Sequence, residues 1–143
     1  MIRIEDDFIK TVQKKAAISA IGPSALRNQG KDKFKEVQQY CYDLDLSAYS
    51  SIKEQKKINE LLDSDTENLL KFSRLPWGTA RKALNLFLRD ALYNTYLCKE
   101  YNLEKIEPFL EITLDSAVAR GLKKKRYKKR TPSVVWIKSI NKK

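Results

Sequence analysis

Apolar residues recur at steps of three and four along most of the chain, which is the spacing of one face of an amphipathic helix. The pattern predicts a first helix over residues 5–20, ended by Gly22 and Pro23, and a second helix over residues 31–42. Residues that favour strands are scattered rather than alternating, and glycine and proline number only four each. We therefore predict an all-α fold, a compact multi-helix domain.

Two further helical stretches lie in the middle of the chain. The first reaches about residue 63, where Asp63-Ser-Asp-Thr predicts a break that caps a shorter helix through Phe72. The second is predicted to be one long helix over residues 79–100, with an apolar stripe towards the core. Its polar face, at steps of four, three and four, holds Gly78, Lys82, Asn85 and Arg89.

The pattern after residue 100 is more broken. Asn102 is expected to end the long helix, and a short helix interrupted by Pro108 follows over residues 104–110. Asp115 has the sequence context of an N-cap for a further helix. A last short helix is predicted to start at residues 131–133 and to place apolar side chains, with Trp136 beside them, against the rest of the protein.

The length of 143 residues is enough for one domain with a single core. We expect a helical domain over residues 1–122 and a basic C-terminal arm over residues 123–143 that docks on it. No stretch approaches the roughly 18 apolar residues of a membrane span, and the N-terminus carries acids where a secretory signal would carry bases. These features predict a cytoplasmic protein without a membrane partner. We further expect it to be a monomer and to associate with the nucleoid.

The net charge of +11 is concentrated at one end of the chain. Residues 120–143 contain eleven basic residues and no acidic one, so the first 119 residues carry 18 of each sign. Such a field attracts polyanions, and binding to phosphates should weaken steeply with salt because counterions are released. This favours a nucleic-acid role. A nonspecific solvated tail, a ribosome-like RNA contact and an anionic membrane surface are the alternatives.

The chain has no histidine and two cysteines, Cys41 and Cys98. The absence of histidine excludes histidine-based triads and most zinc sites, and two cysteines are too few for an iron–sulfur cluster. Both cysteines lie in apolar helical patterns and are expected to be buried and reduced. We expect neither a metal nor a cofactor.

Two segments carry a resemblance to a known family. They are Leu75-Pro-Trp-Gly-Thr-Ala-Arg-Lys-Ala-Leu-Asn85 and Leu114-Asp-Ser-Ala-Val-Ala-Arg-Gly-Leu122. Their order and composition resemble the helix–hairpin–helix DNA glycosylase superfamily, in which a Leu-Pro-Gly hairpin leads into a helix bearing a Schiff-base lysine, and a later segment bears an essential aspartate. The spacing between the two segments is similar to that of the archaeal 8-oxoguanine glycosylases, while the hairpin has a single glycine, Gly78, where family members usually have two or three.

The resemblance implies a glycosylase with lyase activity that excises a damaged or modified base from double-stranded DNA. Lys82 corresponds to the lysine and Asp115 to the aspartate, and the base would be flipped out of the duplex. The residues expected to contact DNA are Arg74, Gly78, Thr79, Arg81, Arg89, Arg120, Lys123, Lys124, Lys125 and Arg126. The candidates for the base pocket are Arg27, Gln29, Trp77, Tyr93, Tyr96 and Phe109. The alternative hypothesis is a noncatalytic DNA- or RNA-binding protein on the same helical scaffold.

Overall fold

The computed structural model describes residues 4–27, 29–50, 52–114 and 134–136. Five α-helices follow one another in this part of the chain: α1 (Ile4–Ala20), α2 (Lys31–Asp43), α3 (Gln55–Ser73), α4 (Trp77–Tyr93) and α5 (Thr95–Tyr101). Two 3₁₀ helices span Leu46–Tyr49 and Leu103–Phe109, and two short strands, β1 (Ile112–Leu114) and β2 (Val134–Trp136), pair with each other. The predicted all-α fold is confirmed, with this strand pair as an addition.

The core is built around α4, which packs against α1, α3 and α5. Its predicted apolar stripe is confirmed, because Leu84, Phe87 and Leu88 are fully buried. Alanines at 80, 83 and 91 are also fully buried, and their small side chains let neighbouring helices come close. Each buried leucine or phenylalanine contributes about 1.5–3 kcal/mol relative to leaving it exposed. This packing fixes which faces of α4 remain for polar contacts.

The predicted break at residues 63–66 is wrong, because α3 runs through it without interruption. The polar residues there have partners that suit a helix. The Thr66 hydroxyl donates to the Leu62 carbonyl one turn earlier, and the Asp65 carboxylate accepts a hydrogen bond from Tyr49. Asp63 forms an ion pair with Arg81 of α4. The polar side chains that the local sequence suggests as helix caps are therefore bonded to other parts of the fold, and the helix continues through them.

The predicted single helix over residues 79–100 is wrong in one respect, because it is two helices that meet at Asn94. The Asn94 side-chain oxygen accepts from the backbone N–H groups of Tyr96 and Leu97, at 3.0 and 3.1 Å, so it caps α5. The predicted end at Asn102 is confirmed, since this residue adopts the left-handed conformation with φ of 50° and follows Tyr101.

The chain beyond α5 combines an expected and an unexpected element. The short segment interrupted by Pro108 is confirmed, as a 3₁₀ helix. Residues Val134–Trp136 form a strand and not part of the predicted last helix, because they pair in parallel with β1, Ile112 opposite Val134 and Leu114 opposite Trp136. The predicted helix after Asp115 and most of the basic arm lie outside the described residues.

Candidate functional site

The connection between α3 and α4 is only three residues long, Arg74 to Pro76. Arg74 is exposed and has φ of 51°, and its backbone N–H donates to the Leu70 carbonyl, which closes α3. Leu75 is buried and anchors the connection to the core. Pro76 precedes the first turn of α4 with φ of −57°, a value that its ring imposes. The chain therefore reverses between two packed helices with little freedom at the start of α4.

The first turns of α4 contain five residues of the predicted site: Trp77, Gly78, Thr79, Arg81 and Lys82. Gly78 is buried, and Thr79 is half-buried. Lys82 is half-buried, and its Nζ donates to the Ser24 carbonyl oxygen at 3.1 Å. The amine thus lies where α4 meets the turn that follows α1. Its predicted partner, Asp115, lies outside the described residues.

Arg81, the neighbour of Lys82, has a different environment. Its side chain is only 3% exposed, and it forms two parallel bonds to Glu111, Nε to Oε2 at 2.8 Å and Nη2 to Oε1 at 2.9 Å. Nη1 donates to Asp63 Oδ1 at 2.7 Å. Its position corrects the expectation that Arg81 holds a DNA phosphate, because two carboxylates already occupy its guanidinium in the interior.

Burial alone would lower the pKa of Arg81, but hydrogen bonds and charges from Glu111 and Asp63 outweigh it and raise the pKa. The guanidinium therefore stays charged. The Trp77 ring lies 5.3 Å from Arg81 Cζ and covers it with an aromatic face. The cluster is an internal ion-pair network and has little capacity to bind an outside anion.

Glu111 connects this network to the chain that leads into β1. Asn85 Nδ2 donates to Glu111 Oε2 at 3.0 Å, and the Glu111 backbone N–H donates to Asn85 Oδ1 at 3.0 Å. One turn further along α4, Arg89 Nη2 donates to the Glu111 carbonyl at 3.3 Å. Residues 81, 85 and 89 are four apart, so they lie on one stripe of α4. We call Arg81, Asn85, Arg89, Glu111 and Asp63 the α4 network.

The sequence identified only part of this network. Asn85 and Arg89 belong to the predicted polar face, but Glu111 and Asp63 did not stand out as partners. Arg89 was expected to contact DNA, and in the structure it is half-buried and bonded to the Glu111 backbone. No local signal in the sequence indicates that an acidic residue 30 positions after Arg81 returns to it.

A second buried polar group lies beside the network, and sequence reasoning missed it. The Tyr49 hydroxyl donates to the Asp65 carboxylate, and the Tyr40 hydroxyl donates to the Asp65 backbone oxygen at 3.1 Å. Burial raises the pKa of Asp65, and the bond from Tyr49 opposes this rise. Burial, followed by the charge of Asp65, raises the pKa of Tyr40 to about 12. An available signal was that Asp65 falls in helical register with Ile58, Leu62 and Leu69 on the buried face of α3.

The predicted base-pocket residues do not form one pocket. Trp77 and Tyr93 are the first and last residues of α4, so about 24 Å of helix axis separates them. Tyr96 lies edge-on against Phe8 of α1, with ring centroids 5.0 Å apart. Arg27, Gln29 and Phe109 lie elsewhere: Arg27 is exposed, Gln29 is half-buried in the loop before α2, and Phe109 packs against the core. The expectation of a shared pocket is corrected by these positions.

The basic residues predicted to contact DNA are only partly described. Arg74 is exposed at the start of the α3–α4 connection. Arg120 and Lys123 to Arg126 lie outside the described residues.

Burial of Cys41 raises the pKa of its thiol, and Cys98 is half-buried; both are free thiols. Within the described ranges, no set of three acidic or cysteine side chains is placed to bind a metal ion, and no helix has the length and apolar character needed to cross a membrane.

The chain was compared with family models, curated proteins and solved structures. No family model, no curated protein and no solved structure matches it. A functional conclusion for this protein therefore depends on its own residues and their geometry.

Proposed function

We propose that this protein binds DNA and acts on it as a glycosylase with AP lyase activity, with Lys82 as nucleophile and Asp115 as its acidic partner. One observation supports this proposal above the others. Asn85 and Arg81, which lie on either side of Lys82 in the sequence, hold Glu111, and Glu111 precedes Asp115 by only four residues. The chain that leads to the aspartate therefore starts beside the helix that carries the lysine.

The distances are compatible with a shared site. Four extended residues span at most about 13 Å. A lysine side chain adds roughly 6 Å of reach by the same bond geometry. The predicted long helix would have required the chain to return from about residue 100, but α4 ends at Tyr93 and the chain is back at α4 by Glu111. The shorter path favours the pairing of Lys82 with Asp115.

The chemistry requires a neutral amine. Lys82 Nζ would attack the sugar C1′ of a flipped nucleotide as the bond from C1′ to the base nitrogen breaks, and the departing base takes the bonding electrons. Asp115 would accept the proton released by the amine. Asp115 would then return this proton to O4′ as the C1′–O4′ bond breaks, which gives a protonated imine. Loss of a C2′ proton from this imine would permit β-elimination of the 3′ phosphate. Half-burial of Lys82 supports this role because it limits competition from water.

DNA contact in this proposal comes from the basic C-terminal segment, Arg74 and Thr79. Arg74 is exposed at the short α3–α4 connection, close in sequence to the start of α4. Since the first 119 residues have balanced charges, the C-terminal excess supplies the net attraction for phosphates. Affinity is accordingly expected to fall steeply as salt is raised.

Borohydride trapping on a duplex with one abasic site tests the proposal. We expect a covalent adduct with the parent protein and loss of at least 100-fold in trapping rate with Lys82→Ala and with Lys82→Arg, because neither variant offers the amine nucleophile. Lys71→Ala, at an exposed position on α3, is the matched control and should trap at the parent rate. Trapping that persists in Lys82→Ala would show that another amine is the nucleophile.

The second candidate is a noncatalytic nucleic-acid-binding protein. The contact from Lys82 to the Ser24 carbonyl favours it, because a lysine that donates to a backbone oxygen can serve simply to fasten α4 to the preceding turn. The same experiment separates the two functions. Salt-sensitive DNA affinity in the parent, together with no trapping and no excision across a panel of damaged bases, would identify the noncatalytic role.

A further inference from the structure

A surface groove of about 590 Å³ lies between α1 and α5, away from the α4 network. Its lining comes from both helices: Glu5, Phe8 and Ile9 of α1, and Tyr96, Lys99 and Glu100 of α5. Phe8 and Tyr96 pack edge to face, yet they remain 46% and 56% exposed. Two large rings that stay this exposed offer apolar area that a further side chain can cover. We call these six residues the aromatic groove.

Carboxylates surround this groove. Glu5 and Glu100 line it, and both are exposed. Asp6 follows Glu5 on α1, and its charge reaches the hydroxyl of Tyr101. Burial, followed by the charges of Glu100, Asp45 and Asp6, raises the pKa of Tyr101. Lys99 offsets part of the negative charge. The aromatic groove thus combines exposed ring faces with a net negative rim, which suits cations that stack on aromatic rings.

One segment of this chain has the complementary chemistry. Residues 120–130 contain eight bases, no acid and a single aromatic residue, Tyr127. The first 119 residues are neutral overall, so within the chain the surplus positive charge is confined to the stretch that begins at residue 120.

The segment can also reach the groove. The Glu111 carbonyl is bonded to Arg89, one helical turn before Tyr93, and Tyr96 follows three residues later. Arg89 and Tyr96 are therefore at most about 17 Å apart along the chain. The twelve residues from Leu114 to Arg126 span up to about 40 Å when extended. The return is also long enough, because the eight residues from Arg126 to Val134, which pairs with Ile112, span up to about 26 Å.

We propose that the aromatic groove binds the basic segment 120–130 of the same chain, with Lys or Arg side chains on the faces of Phe8 and Tyr96 and their charges opposite Glu5 and Glu100. Nucleic acid and the groove would then compete for one set of cations. The groove would reduce nonspecific binding to polyanions, because a phosphate backbone would first have to displace the basic segment from the groove. This inference does not depend on catalysis by Lys82.

Photocrosslinking of the full-length chain tests this proposal. With p-benzoylphenylalanine in place of Tyr127, we expect crosslinks within single molecules to residues 5–9 or 96–100. Glu5→Gln with Glu100→Gln should lower the yield about fourfold, since each screened ion pair is worth about a factor of two. The matched control is Glu60→Gln with Glu67→Gln, which makes the same change in net charge at two exposed positions of α3 and should leave the yield unchanged.

Three results would overturn the proposal: crosslinks that map elsewhere, an equal loss of yield in both double variants, or crosslinks found only at the mass of a dimer, which would make a second copy the occupant. Duplex DNA should lower the yield in the parent. A groove crosslink that DNA leaves unchanged would uphold the groove assignment and count against the proposed DNA-binding function, so the two can fail separately.

Discussion

The α4 network and the aromatic groove both combine carboxylates with basic side chains, but they differ in access to water. In the network, Arg81 is 3% exposed and Glu111 is 11% exposed, and each has fixed partners. In the groove, Glu5 and Glu100 are exposed. Charges that have left water depend on one another for stability, whereas exposed charges are screened and interact weakly. Removal of one partner from the network should therefore destabilise the fold, whereas the exposed groove charges can change partners at little cost.

The same contrast separates two neighbours on α4. Arg81 points to α3 and Glu111, where its charge is balanced. Lys82 is rotated by about 100° around the helix and meets the turn after α1 through the Ser24 carbonyl. These adjacent positions therefore have different surroundings: Arg81 is a structural cation, and Lys82 is the candidate nucleophile.

Glu111→Ala should produce the largest effect and test whether the network is structural. Removal of this carboxylate leaves Arg81 buried with Asp63, itself 62% exposed, as its remaining acidic partner. We expect the free energy of unfolding to fall by about 3 kcal/mol, because an unbalanced buried charge remains. Urea unfolding of the variant measures this change. Glu67→Ala, at an exposed position, should change stability by less than about 0.5 kcal/mol, and equal effects in both variants would contradict the comparison.

Tyr49→Phe should have the next largest effect, on the buried group beside the network. It removes the hydrogen bond to the Asp65 carboxylate and should cost about 2 kcal/mol at neutral pH. Burial raises the pKa of Asp65, so the folded state holds its proton more tightly than the unfolded state. Stability from this group therefore falls as pH rises from about 4, the ordinary value, through the raised pKa.

The loss of the Tyr49 bond lets the pKa of Asp65 rise further, so stability falls over a wider pH range and by a larger total amount in Tyr49→Phe than in the parent. The destabilisation should accordingly be smaller near pH 4 than at pH 7. Tyr96→Phe is the matched change in the aromatic groove, where the side chain is 56% exposed, and it should show neither effect. A destabilisation of Tyr49→Phe that is the same at both pH values would argue against a charged Asp65 as the cause.

Asn94→Ala should lower stability less than Glu111→Ala or Tyr49→Phe. It tests how much the helix that carries the aromatic groove contributes to the stability of the fold. Its side-chain oxygen caps α5, the helix that positions Tyr96 against Phe8. Loss of an N-cap is expected to cost about 1 kcal/mol, which thermal unfolding can measure against Thr95→Ala as an exposed neighbour. A loss as large as that of Glu111→Ala would mean that the α5 side is as important to the fold as the network.

Local pattern in the sequence was sufficient for several elements of the fold. The bounds of α1 and α2, the buried stripe of α4 and the end of α5 at Asn102 all follow from helical periodicity and from residues that end helices. These features depend on residues a few positions apart. The sequence also determined the charge distribution, since the whole excess of +11 lies beyond residue 119.

Tertiary structure alone decided the features whose partners are distant in sequence. The local sequence predicts a break at residues 63–66. These residues stay helical because Tyr49 bonds to Asp65 and Arg81 forms an ion pair with Asp63. Val134 to Trp136 form a strand because β1 offers a backbone ladder. Arg81 and Lys82 are adjacent basic residues, and the sequence alone does not distinguish their environments. The helices packed opposite them determine which is buried against carboxylates and which reaches a carbonyl, because burial and pairing depend on groups brought together only by folding.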